Sequence, residues 1–337
     1  STKATVLGTW NSPAQSSQNP ENTIARIPVR SLELTLKPDI YFGFETLSLS
    51  AKPRISGNVT NTDVRGAAVS DEDSTIEIIE FRARQGLGDH FFASYGWENI
   101  QWGPSFLYSP SNPFFNDNGK KDLVNELPGK GAATLLFVFD YNFSASLIVN
   151  TDKGAFNESG FENTAALKID YSGDESYASV ILSHKEHTRT TVGFFAGTTF
   201  SDAVLIYGEA SLEKGSPALL PKQIPGPLSW QMEALDKHDA SLVPVLLAGI
   251  SYTLESTDTV TIEYLYYGHG YNDTEADLFF DMLDDAVFLY TQGAPALSGY
   301  GPKLLGQAAQ NNIGFLRRHS LVLQDLNEDI GEDTGLV

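Results

Sequence analysis

Charged side chains in this chain recur at a spacing of two. The run Glu80-Phe-Arg82-Ala-Arg84 sets three of them on one side of an extended segment, with Ile79, Phe81 and Ala83 on the other. Charges of both signs ranked along one strand face can line an aqueous passage and set a field across it. They do not by themselves make or break bonds. The same alternation places Glu33, Glu98, Lys168, Asp170, Glu209, Glu263 and Arg318 on the polar sides of their segments. Bond-making chemistry has less support. His184 and His187 flank Glu186 in a turn, without the helical face that a zinc-binding pair needs. His319 and Ser320 are adjacent, so a strand would point them to opposite faces. No G-x-S-x-G, phosphate-binding loop or dinucleotide fingerprint occurs, and cysteine is absent. The expectation is a protein that is not an enzyme and carries no cofactor and no metal.

The segments that hold these charges are short and alternate. Leu32, Leu34 and Leu36 oppose Ser31, Glu33 and Thr35, while Val260, Ile262 and Tyr264 oppose Thr259, Thr261 and Glu263. About fourteen such segments follow one another, at 3–10, 24–37, 43–55, 74–86, 90–101, 131–140, 142–151, 162–172, 175–184, 188–200, 202–213, 241–255, 257–268 and 311–326. The segment 131–140 is apolar on both sides, so its parity is not legible. Charged residues make up only 19% of the 337, beside 29 Gly, 20 Phe and 14 Tyr, which suits strands and turns rather than helices or disorder. Asp plus Glu number 43 against 22 Lys plus Arg, a net charge of −21 that excludes nucleic acid as the main partner.

The connections alternate in length. Those at 11–23, 56–73, 102–130, 152–161, 214–240 and 269–310 are long. Those at Lys37–Tyr41, Gln85–Asp89, Asp140–Asn142, Gly173–Glu175, Phe200–Asp202 and Glu255–Asp258 are tight, and only His184–His187 breaks the order. Long connections at one end and tight turns at the other are the pattern of a transmembrane antiparallel up-and-down barrel. No run of about 18 apolar residues is present to cross as a helix, but a barrel strand needs only about 9–11 alternating residues. Tyr41, Phe42, Phe44, Tyr141, Phe143, Tyr171, Tyr177, Phe200 and Tyr252 gather near the tight turns, as an interfacial aromatic girdle would. A soluble β-sandwich alternates too, but it explains neither the loop asymmetry nor the girdle.

Five short motifs carry a resemblance. Glu80-Phe-Arg-Ala-Arg84 leads to Gly96-Trp-Glu-Asn-Ile-Gln-Trp-Gly103 and then to Ser109-Pro-Ser-Asn-Pro-Phe114. Further on come Glu263-Tyr-Leu-Tyr-Tyr-Gly-His-Gly-Tyr271 and Leu316-Arg-Arg-His-Ser-Leu-Val-Leu323. Together they resemble porin-like outer-membrane β-barrel proteins of Gram-negative, proteobacterial type, a largely uncharacterised group. The chain departs from the pattern at Glu98, where Gln is expected, and at Trp97, where Arg is commoner. The resemblance implies an integral outer-membrane barrel in contact with lipid and lipopolysaccharide. Acidic runs at 71–73, 275–285 and 328–333 read as solvated faces, with divalent cations bridging lipopolysaccharide as the sharper alternative. By analogy with porins, 102–130 is expected to fold inward as a constriction, stiffened by its prolines. The 269–310 connection is expected to hold a short amphipathic helix at 277–288.

These readings converge on an all-β single domain over 1–337 with about fourteen strands, or sixteen if the chain continues past its acidic, turn-like last residues. The expected function is a porin-like channel for passive passage of small solutes. The alternative is a barrel scaffold or conduit within a larger outer-membrane assembly, with outer-membrane or periplasmic protein partners. A charge on the lipid side costs about 2–4 kcal/mol, so the charged set should face the lumen. The expected constriction residues are Glu80, Arg82, Arg84, Glu98, Trp102, Lys120, Lys121, Glu263 and Arg318.

Overall fold

The computed structural model describes residues 2–13, 20–23, 26–106, 108–115, 129–152, 163–186, 190–216, 218–225, 230–234, 242–256, 258–292 and 319–326. Its strands are β1 (Thr2–Trp10), β2 (Pro28–Pro38), β3 (Ile40–Gly43), β4 (Leu47–Val64), β5 (Ala67–Gly86), β6 (Phe91–Glu98), β7 (Lys130–Val138), β8 (Phe143–Asp152) and β9 (Thr164–Ser172). They continue as β10 (Ser176–Lys185), β11 (Thr190–Ser201), β12 (Val204–Lys214), β13 (Leu219–Gln223), β14 (Trp230–Ala234), β15 (Leu242–Thr253), β16 (Thr259–Tyr267) and β17 (His319–Leu326). Fifteen strands form one antiparallel sheet; β3 pairs only with β4, which leaves fourteen in one continuous path from β1 to β17. Each of the fourteen alternating segments corresponds to one strand of that path. Among the described residues no ladder joins β1 to β17.

Two local expectations are corrected. The tight turn expected at Lys37–Tyr41 instead lies at 44–46, where the Phe44 N–H donates to Leu47 O at 2.7 Å. Pro38 cannot donate to a ladder, so β2 stops there and the chain resumes as β3 along β4. The long loop expected at 56–73 is a hairpin. From Pro53 opposite Ile78, β4 and β5 pair without a gap as far as Val64 and Ala67, joined by Arg65 and Gly66 with φ of 54° and 76°. Two successive positive φ values make a two-residue turn whose twist matches the strands it joins. Thr and Val along this stretch favour extension, but the stretch lacks the apolar alternation of a lipid-facing strand.

The exposed face of the sheet is apolar, and the covered face mixes buried polar groups with apolar patches. Leu135, Leu147, Leu167, Val180, Phe194, Ile206, Leu246 and Ile262 are exposed on the outer face of successive strands. Asn150, Thr164, Ser179, Ser183, Glu209, Ser211, Ser251, Thr261 and Glu263 are buried on the other face. Register fixes these sets: Leu147 opposes Leu135 and Leu167, while Ser146 opposes Leu136 and Lys168. For 131–140 the pairing supplies the missing parity, placing Ala132, Thr134 and Leu136 inward beside Asn150, Ile148 and Ser146. Tyr41, Phe42, Phe44, Tyr141, Phe143, Tyr171, Phe200 and Tyr252 are exposed near the tight turns, as is Phe139. Tyr177 is the exception. It pairs with Gly197 on the inner face, and its ring lies 6.2 Å from that of Phe195. Gly197 leaves the space, since a Cβ there would come within 2.4 Å of the Tyr177 hydroxyl.

The chain also builds a small cap outside the sheet. β13 and β14 form a separate hairpin, and helix α1 (Asp273–Gln292) packs on it. Trp230, Met232, Tyr271, Phe279, Met282 and Leu283 make their common core. The Trp230 indole Nε1 donates to Asp285 Oδ2 at 2.7 Å, and the Tyr271 hydroxyl donates to Leu219 O. The helix starts four residues earlier than the expected 277 because Asn272 and Glu275 cap it reciprocally. The Glu275 N–H donates to Asn272 Oδ1 at 2.9 Å, and the Asn272 N–H donates to Glu275 Oε2 at 2.8 Å.

Candidate functional site: the inner face and the segment that crosses it

After β6 the chain does not run beside β5 but turns across the inner face. Phe106 is 106 − 98 = 8 residues past Glu98, a reach of at most about 29 Å. Its N–H donates to Glu263 Oε1 on β16 at 2.7 Å. From β6 to β16 the path takes eight strand steps, about 38 Å on a flat sheet. The segment therefore takes a chord, and the sheet curls around it.

Two buried carboxylates hold the segment. Glu209 on β12 accepts from the Ser105 N–H at 3.1 Å, the Ser109 hydroxyl at 2.8 Å and the Ser111 hydroxyl at 3.0 Å. Glu263 accepts from Phe106 and from the Tyr207 hydroxyl, the latter at 2.7 Å. Both carboxylates are 2% exposed. Carboxylates buried in this way persist where donors surround them. Close approach is enforced by glycine. Gly103 has φ of +86°, and a Cβ on it would sit 2.1 Å from Glu209 Oε1. A Cβ on Gly193 would sit 2.8 Å from Ser111 O.

Asn112 shapes the far end. Its Oδ1 accepts from the Phe114 and Phe115 N–H groups at 2.9 and 3.1 Å, while its Nδ2 donates to Ile100 O at 2.8 Å. That turn drives Phe114 and Phe115 into a cluster with Ala132, Ile148, Ala166, Ile181 and Phe195, one residue from each of β7 to β11. Tyr108 packs against Tyr207, Val245, Leu247 and Leu265, and its ring meets Tyr267 edge-on at 5.5 Å. Burial, with Tyr267 beside it, pushes the Tyr108 phenol above its usual range. The segment thus covers the inner face from β7 to β16.

The inner face from β1 to β6 remains polar and gathers Glu33, Glu80, Arg82, Arg84 and Glu98, while Lys168 and Asp170 pair on β9. Arg82 opposes Ser50 and Gly96, Arg84 opposes Ser48 and Ser94, and Glu80 opposes Lys52. Lys52 pairs with Glu80 at 3.2 Å and Arg82 with Glu98 at 3.9 Å, while the Ser94 hydroxyl donates to Glu98 at 2.9 Å. Arg84 lies 4.5 Å over the Phe92 ring. Ile79, expected outside with Phe81, is fully buried instead. A bulge at Lys52/Pro53 leaves it without an opposite residue, and its carbonyl accepts from the Gly129 N–H at 2.6 Å. Trp102 lies within the crossing segment, against Phe114 at 5.7 Å and below the Lys168 ammonium at 5.4 Å. Glu263 lies beneath Phe106, apart from the charges of β5 and β6. Lys120, Lys121 and Arg318 lie outside the described residues.

Sequence reasoning placed Glu209 on the polar side but gave it no role, and it did not single out Ser105, Tyr207 or Asn112. The alternation Ser109-Pro-Ser111 held the signal for Ser109 and Ser111. Asn112 followed by Pro113 carried a turn signal. The acceptor they meet is a hundred residues away and was invisible locally.

No family model and no curated protein matches the chain. Solved structures match it in outline. Pseudomonas aeruginosa OprD matches at 10% identity and a TM-score of 0.39, over 70% of this chain and 53% of that one. P. aeruginosa OccK7 (OpdD) matches at 9% and 0.42, over 70% and 60%. Acinetobacter baumannii OccAB1 matches at 10% and 0.44, over 78% and 63%. This chain spans between about half and two-thirds of the length of those structures. Its own surfaces identify the architecture. An apolar exterior, aromatics ringing the tight-turn end, an inner face carrying buried polar and charged groups and fourteen antiparallel strands in sequence order are the architecture of a transmembrane β-barrel wall.

Proposed function

We propose that the protein is a passive channel for small polar solutes, with its path along the inner face of β1 to β6. The observation that carries this reading is the division of the interior. The crossing segment packs apolar side chains over β7 to β11 and engages β12 to β16, whereas the opposite wall keeps Glu33, Lys52, Glu80, Arg82 and Arg84. Buried polar atoms without a partner among the described residues include Asn58 Oδ1 on that wall and Asn99 Oδ1, Gln101 Nε2 and Trp102 Nε1 at the start of the segment. A hydrated solute can satisfy such groups. In this reading Glu80, Arg82, Arg84, Glu98 and Trp102 border the narrowest passage, joined by Lys120, Lys121 and Arg318, with Glu263 as an anchor below. Substrates, lipopolysaccharide contacts and protein partners of the whole protein belong to the same proposal.

Planar-bilayer recording under a salt gradient tests it. Discrete conductance steps are expected, and neutralising Arg82 and Arg84 together should move the reversal potential toward cation selectivity. An unchanged reversal potential would remove the two arginines from the path. A silent membrane with folded protein would favour a scaffold or conduit whose lumen is filled by a partner.

A further inference from the structure

After the inward turn that follows β6, a long edge of β5 has no second strand among the described residues. β5 pairs with β4 from Ala67 to Gln85, but with β6 only from Phe81 to Gly86. Glu98 ends β6, and the chain then crosses the interior. Apart from the Gly129 contact at Ile79, the β6-facing edge of β5 over Ala67–Ile78 has no second strand among the described residues. Twelve extended residues offer about 40 Å of backbone donors and acceptors. An edge of this length is normally covered, shortened or kinked. Here its side chains are exposed and specific. Asp71 and Asp73 lie on one face, Glu72 on the other, and Ile76 and Ile78 are exposed at the lower end, Ile76 at 81%.

We propose that this edge is a docking site for an extended, basic segment of a partner protein, taken up by strand addition. Backbone hydrogen bonds would supply affinity, lysines or arginines opposite Asp71 and Asp73 would set register, and apolar side chains on the alternate face would cover Ile76 and Ile78. A second copy of this chain is disfavoured by charge. Antiparallel pairing of two such edges about their midpoint, between residues 72 and 73, sets Glu72 of each copy directly opposite Asp73 of the other. The inference does not depend on whether the lumen conducts.

Fluorescence anisotropy with the full chain in nanodiscs tests it, using a labelled alternating lysine–valine decapeptide. Saturable binding is expected. It should weaken at least about tenfold when alternate peptide nitrogens are methylated, because the ladder is lost while the charge remains. D71N/E72Q/D73N should weaken it by a similar factor, and a glutamate–valine peptide should not bind. Equal binding of the N-methylated peptide would reduce the effect to charge attraction and overturn the proposal, as would no binding of the parent peptide. Sedimentation showing concentration-dependent dimers that D71N/E72Q/D73N strengthens would assign the edge to a second copy instead. If that variant fails to fold, the N-methylated peptide on the unaltered protein still decides.

Discussion

Glu209 shows what one side chain does in a barrel interior. Its two oxygens gather a backbone N–H and two hydroxyls from a segment about a hundred residues away in sequence. Hydrogen bonds to a charged group contribute about 1.5–3 kcal/mol each, and a buried donor left without an acceptor costs about 1–3 kcal/mol. Glu209→Ala should therefore lower unfolding free energy by about 2–4 kcal/mol in detergent, followed by tryptophan fluorescence. Glu209→Gln should cost less. Its amide oxygen still accepts from the Ser105 N–H, and the Ser109 and Ser111 hydroxyls can rotate to accept from its NH2. Equal losses for the two variants would show that charge, not hydrogen-bond matching, holds the segment. If the segment borders the passage, Glu209→Ala should also widen the spread of single-channel conductance.

At the scale of elements, two devices depend on local chemistry. The cap helix begins where Asn272 and Glu275 satisfy each other's backbone N–H groups. Asn272→Ala should cost about 1 kcal/mol, seen as faster amide exchange in the first turn of α1 with the strands unchanged. Faster exchange throughout the barrel would mean that the cap and the sheet unfold as one unit. The cap is tied to the wall through His269. Its Nδ1 lies 3.0 Å from Ser216 Oγ and its Nε2 3.4 Å from Glu213 Oε2. The β4–β5 hairpin is the second device. Arg65 and Gly66 reverse the chain in two residues, so both strands extend past the neighbouring β6. Its length and the inward turn of the next connection together leave the edge of β5 without a second strand among the described residues.

The whole molecule is arranged inside-out compared with a water-soluble fold. Leu147 and Ser146 are neighbours in sequence, yet one faces the exterior band and the other the interior. Leu147→Arg should cost about 2–4 kcal/mol in folding free energy in lipid, whereas Ser146→Arg should be far milder and should alter conductance instead. Urea titrations in liposomes measure the first effect and bilayer recording the second. Equal costs would remove the distinction between the two faces.

Strand identity and facing were legible in the sequence because they are local. Successive side chains of an extended chain point to opposite sides, so Leu32, Leu34 and Leu36, or Glu80, Arg82 and Arg84, declare their faces without knowledge of any neighbour. Loop asymmetry added the barrel pattern, and scarce charge with abundant aromatics added the lipid. Tertiary structure decided what depends on contacts distant in the chain. It turned Tyr177 inward because Gly197 lies opposite, buried Ile79 because a bulge on the β4–β5 ladder skipped it, and extended 56–73 into a hairpin. It also set Glu209 under Ser105, Ser109 and Ser111, a match that no spacing announces. Alternation is a property of covalent geometry, whereas a bulge, a chord across a curved sheet and a free edge exist only once strands from opposite ends of the chain have met.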